Sequence, residues 1–76
     1  MFITIEEVRK KFSDETADFH KGYFEAYNNP ERISKGMSKI TANLNDMLAK
    51  EVLSRKAMSF FEGLVKGLND KKDETK

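Results

Sequence analysis

The residues whose chemistry could matter are few and scattered. His20 is the only histidine, so neither a two-histidine metal site nor a Ser-His-Asp arrangement can be assembled with a spare base in one chain. No cysteine is present, which removes thiolate ligands, thiol nucleophiles and disulfides together. Asp14, Glu15 and Asp18 have the i,i+3 and i,i+4 spacing of a weak cation site, yet Lys10, Lys11 and Lys21 stand close enough in sequence to neutralise it. Gly22, Gly36, Gly63 and Gly67 are isolated, not gathered into a phosphate-cradling loop, and there is no nucleophile elbow. These patterns imply a non-enzymatic chain without metal or cofactor.

Binding is the chemistry that remains. Met58, Phe60, Phe61, Leu64, Val65 and Leu68 spread over more of a helix circumference than one packing stripe needs, and aromatic residues and methionine are enriched in interface cores. Phe24 adds a second apolar lobe to an earlier helix, about 100° from its main stripe. These seven residues are the expected partner-binding surface. A basic alternative is the row Arg32, Lys35, Lys39 and Lys50, which shares one helical side and offers phosphate contacts, although Asp46 interrupts it. A further possibility is a pocket between subunits for a small charged ligand, lined by His20, Tyr23, Tyr27 and basic side chains.

The elements that must position these residues read as all-α, in the form of a helical hairpin or three-helix bundle. Thr4 and Glu7 have capping-box spacing while Ile3 and Val8 occupy the hydrophobic-staple positions, so the first helix should start at Ile5. Ile5, Val8, Phe12, Thr16, Phe19, Tyr23 and Tyr27 share one stripe, which predicts a single helix over about 5–27. Asn28-Asn29-Pro30-Glu31 then joins a cap residue, a proline suited to the first helical position and a favourable acid, opening a helix over about 30–48. Its stripe is Ile33, Met37, Ile40, Leu44, Met47 and Leu48.

Past Leu48 the phase breaks. Glu51 lands in the old stripe, and Leu53, Ala57, Phe60, Phe61, Leu64 and Leu68 define a new one over about 49–68. The last two segments are therefore either separate helices or one long kinked helix whose second face needs another chain. Gly63 and Gly67 should weaken the final turns, and 70–76 reads as a flexible charged tail after a single domain over 1–69.

Composition agrees with that economy. A chain of 76 residues holds one small domain, and 38% hydrophobic against 36% charged residues is thin core material, which favours assembly over a lone monomer. Lys plus Arg number 14 against 13 acids, so a net charge of +1 supplies no global field toward nucleic acid or an anionic membrane. No apolar run reaches the length of a membrane span or a signal peptide, making the cytoplasm the expected compartment. The expected function is a protein-binding module, such as an adaptor, a chaperone-like subunit or an inhibitor, acting as a homo-oligomer and binding another protein. The alternatives are a nucleic-acid-associated regulator using the basic row and an oligomer with the inter-subunit pocket.

Overall fold

A computed structural model of the chain describes residues 2–50 and 54–74, and these form four helices with no strand among the described residues. They are α1 (Ile5–Lys11), α2 (Ala17–Asn28), α3 (Pro30–Ala49) and α4 (Arg55–Glu74). The all-α class follows directly from this.

The start of α1 forms as its sequence dictates. Thr4 accepts a hydrogen bond from the Glu7 backbone N–H at 3.2 Å, and the Glu7 carboxylate reaches back to the Thr4 N–H, completing the capping box. The single helix expected over 5–27 is instead two. Phe12 ends α1 in a non-helical conformation, its N–H still bonded to the Val8 carbonyl at 2.9 Å. Thr16 then starts α2 by accepting from the Phe19 N–H at 3.2 Å. The Phe12 carbonyl, lost to the helix ladder, accepts from the Glu15 N–H at 3.0 Å and from the buried His20 ring at Nε2. Because a carbonyl only accepts, that contact places a proton on Nε2 of His20. The elbow folds Phe12 back onto α2, where its ring lies 5.1 Å from that of Phe19 and 4.7 Å from that of Tyr23.

Pro30 occupies the first turn of α3, as expected. Asn28 has a different task from capping: its amide accepts from the Ile3 N–H at 2.9 Å and donates to the Ile3 carbonyl at 2.8 Å. That pair ties the N-terminal segment to the end of α2. Ile3 packs on the core, whereas Phe2 stays 78% exposed.

Between α3 and α4 the continuous long helix does not form. Lys50 terminates α3, and Ser54 opens α4 by accepting from the Ala57 N–H at 3.2 Å. Glu51 and Leu53, expected to mark the phase change, lie outside the described residues. At the far end α4 runs to Glu74, where the hydropathy pattern places its end near Leu68 and a flexible tail from residue 70. The extra turns form because Asp70 and Lys71 dock on tyrosines of α2: Asp70 is bonded to Tyr23, and the Lys71 ammonium sits 4.9 Å from the centre of the Tyr27 ring. Residues 75 and 76 lie outside the described set.

Helix α2 is the hub, and its main contact is with α4. The two backbones touch. A Cβ placed on Gly22 would collide with the Phe60 carbonyl oxygen, and one on Gly63 with that of Phe19. At Gly67 a Cβ would lie 2.7 Å from the Tyr23 carbonyl oxygen and 2.9 Å from the Ala26 Cβ. Three glycines thus permit an approach that any side chain would prevent. On one side of α2, Val8, Phe19, Tyr23 and Tyr27 form a core with Ile3, Phe12 and Phe24 against it. A second core joins Ala26, Ile33 and Leu64, supported by Met37, Ile40, Phe60 and Leu68.

Candidate functional site

The expected partner-binding residues divide between interior and surface. Leu64 is 1% exposed and belongs to the chain's own core, a correction that follows from its place beside the Gly63 contact on the face α4 turns to α2. Phe60 and Leu68 are half-buried on the same core. Phe24 is half-buried on the other core, alongside the residues that α1 covers. Phe61 and Val65 are half-buried without joining either core cluster, and Met58 is exposed. The surface that remains is narrower than the expected one.

A second exposed residue extends it. Leu48, in the last turn of α3, is 62% exposed, and Met58, in the first turn of α4, is 42% exposed. Leu44 and Met47 lead to Leu48 along the α3 stripe and are only half-buried. In the sequence Leu44 reads as core, because its phase matches Ile33 and Ile40. Among the described residues Ile33, Met37 and Ile40 of this stripe join the second core, whereas Leu44, Met47 and Leu48 join neither.

The basic row is intact as a surface. Arg32, Lys35 and Lys39 on α3 and Lys50 at its C-cap are all exposed. Lys50 is partly neutralised by Asp46, one turn earlier, at 3.0 Å. Arg32 and Lys35 also line a shallow depression at the α2–α3 turn with Asn28, Asn29, Pro30 and Glu31. The three residues expected to line an inter-subunit pocket do not face outward: His20 is 6%, Tyr23 1% and Tyr27 7% exposed.

One polar constellation escapes the sequence pattern altogether. The Tyr23 hydroxyl donates to Asp70 Oδ2 at 2.6 Å and accepts from Lys11 Nζ at 3.2 Å, while Lys11 and Lys66 approach the Asp70 carboxylate at 3.5 and 3.7 Å. Burial pushes the Tyr23 phenol above its ordinary range, and the neighbouring Asp70 charge adds to it. For Asp70, burial acts to raise the carboxyl, but the Tyr23 hydrogen bond and the charges of Lys66 and Lys11 outweigh it and hold the group low. A phenol shifted upward is a poor proton donor near neutral pH, so this group serves as a clamp between α1, α2 and α4. The signal that could have found it is the face Gly63, Gly67, Asp70, Glu74, which keeps helical steps of four and three straight into the charged segment.

Among the described residues no cluster of three or more His, Cys, Asp or Glu side chains is placed to hold a metal ion, and no helix is long and apolar enough to cross a membrane. Comparison with known proteins finds no matching family model, no matching curated protein and no matching solved structure.

Proposed function

We propose that the chain is a small, non-enzymatic, helical protein-binding module that works as a homo-oligomer in the cytoplasm and engages another protein, in the manner of an adaptor, a chaperone-like subunit or an inhibitor. The observation that supports this reading is the exposure of Leu48 and Met58, large apolar side chains that join neither core cluster of the described residues. Exposed apolar surface marks protein contact where it is contiguous. The test is absolute mass by light scattering on a sizing column over a tenfold concentration range, at low and moderate salt. A salt-insensitive multiple of 8.8 kDa supports the reading, and a strict monomer removes the oligomer.

A second reading, a nucleic-acid-associated regulator, draws on the exposure of Arg32, Lys35 and Lys39 along α3. Phosphate binding weakens by orders of magnitude between low and moderate salt, whereas an apolar contact does not. Titration of a fluorescent duplex at two salt concentrations, with Lys35→Glu and Lys39→Glu beside the wild type, separates the two. Binding that vanishes with salt and with both substitutions supports the regulator.

A further inference from the structure

The stripe of Ile5, Val8, Phe12, Thr16, Phe19, Tyr23 and Tyr27 keeps helical phase straight through an elbow at which the helix is broken. Residues 12–16 hold neither glycine nor proline, and the chain leaves the helical conformation at Phe12, with φ −120° and ψ 54°. Ser13, Asp14 and Glu15 are exposed, and among the described residues their side chains make no hydrogen bond or ion pair. The elbow is held by the Thr16 cap of α2 and by the Phe12 carbonyl, which accepts from the Glu15 N–H and the His20 ring. A continuous helix would replace these contacts with its own ladder, in which the Phe12 carbonyl accepts from the Thr16 N–H.

The register of α1 on α2 fixes what a straightened elbow would do. The two helices form an antiparallel hairpin: Ile3 is tied to Asn28 at one end, and at the other the Phe12 ring lies 5.1 Å from that of Phe19. Both pairs are centred on the peptide bond between Glu15 and Thr16. A straight helix over residues 5–28 is about 36 Å long. Two such helices, antiparallel about a two-fold axis at that bond, place each α1 on the α2 of the other chain in the hairpin's own register. Ile3 then faces Asn28 of the partner subunit, and Phe12 faces Phe19 of the partner subunit.

We infer that the chain self-associates by exchanging α1 between two copies, an inference that rests on the self-associating reading above. The exchange preserves the core, because Val8, 0% exposed beside Phe19 and Tyr23 in the hairpin, returns to the same surroundings on the other chain. Lys11, which bonds Tyr23 and Asp70 in the hairpin, meets Tyr23 of the partner subunit and Asp70 of the partner subunit. That match commits the α2 face to a second copy, since a foreign helix would have to reproduce Ile3, Val8, Lys11 and Phe12 together. Asp14, Glu15 and Asp18 of both copies gather near the axis and oppose the exchange, so the composition of the elbow sets the balance between hairpin and dimer.

The chain has no native cysteine, so two introduced thiols report which chain α1 packs on. Ile3→Cys with Asn28→Cys, bridged by a short bis-maleimide, closes a loop within one chain in the hairpin and joins two chains in the exchanged dimer. The dimer fraction from a sizing column should therefore run as a covalent dimer on a denaturing gel. Ser13→Ala with Asp14→Ala favours the continuous helix and should raise the dimer fraction several-fold. Three glycines inserted between Asp14 and Glu15 disfavour it and should give a monomer with undiminished helical circular dichroism. A dimer whose bridge closes within single chains overturns the exchange and leaves self-association standing. Wild type and the Ser13→Ala, Asp14→Ala protein both monomeric at every concentration overturn the two together. A glycine-inserted protein as dimeric as wild type also overturns the exchange.

Discussion

Tyr23 stands between Lys11 and Asp70, accepting from the one at 3.2 Å and donating to the other at 2.6 Å, so a single phenol links α1, α2 and α4. Its ring is 1% exposed and packs against Phe12, Phe19 and Tyr27, so Tyr23→Phe should preserve the packing and remove only the polar link. Hydrogen bonds to charged groups contribute about 1.5–3 kcal/mol, and partial exposure of Asp70 brings the expected loss to about 1–2 kcal/mol. Urea denaturation of wild type and Tyr23→Phe measures it. A Tyr23→Phe midpoint equal to wild type would make the clamp energetically idle.

The same pair sets a pH dependence with a definite sign. Asp70 is held below the usual carboxylate range, so its stabilising contribution is complete above about pH 3.9, the unfolded value, and is lost as pH falls through the lower folded value. The Tyr23 phenol is held above its ordinary range, so its contribution is complete below about pH 10 and is lost as pH rises toward the folded value. Denaturation midpoints measured from acid to alkaline pH should show Asp70→Asn with a flatter acid limb than wild type. An unchanged acid limb would assign acid sensitivity to other carboxylates.

Glycine substitutions should split by position, although all four glycines are helical. In an open helix Gly→Ala stabilises by up to about 1 kcal/mol, and Gly36 is in that situation, with only the Ile40 Cδ1 at 3.9 Å from an added Cβ. Gly36→Ala should therefore raise the melting temperature. Gly22→Ala and Gly63→Ala must push α2 and α4 apart, because the obstructing atoms are backbone carbonyl oxygens, and overpacking costs about 1–3 kcal/mol or more. Thermal melts of the three proteins check this, and a Gly63→Ala melt at or above wild type would contradict the close crossing.

What the sequence makes legible depends on whether a signal is local. The capping box at Thr4 and the proline start of α3 are readable because each motif is complete within a few residues. The break at Phe12 is not visible in hydropathy, since Phe12, Thr16 and Phe19 keep the stripe's phase across it; only Ser13, Asp14 and Thr16, a cluster of cap-forming types, mark it. Gly63 and Gly67 read as weak points because helix propensity is a solvent-exposed quantity, and a backbone contact with α2 overrides it. Asp70 and Lys71 read as tail because charge implies water, yet their partners are tyrosines more than 40 residues earlier, which no short window includes. Leu64 and Phe61 read alike in the sequence for the same reason, and only the placement of α2 makes Leu64 interior.

The elbow between α1 and α2 should depend on two side chains that act on opposite sides of it. Thr16→Ala removes the cap of α2 and should cost about 1 kcal/mol. His20→Ala leaves the Phe12 carbonyl with the Glu15 N–H alone and opens space beside Phe19, so its cost should be larger, about 1–3 kcal/mol. Urea denaturation gives both values, and hydrogen exchange at the amides of residues 12–16 should quicken in each. Unchanged exchange in His20→Ala would show that the turn holds without the imidazole.

Leu64→Ala and Leu44→Ala remove the same atoms from two sites that differ in what surrounds them. Leu64 is enclosed by the second core, so truncation should cost about 2–5 kcal/mol at any protein concentration. Leu44 is half-buried and joins neither core cluster of the described residues, so its truncation should cost about 1 kcal/mol in dilute solution. On the proposed homo-oligomer reading the cost should grow at high concentration, because association then adds its own stability. Melting curves at two concentrations a hundredfold apart distinguish the sites. Equal, concentration-independent losses at Leu44 and Leu64 would place Leu44 in the chain's own core.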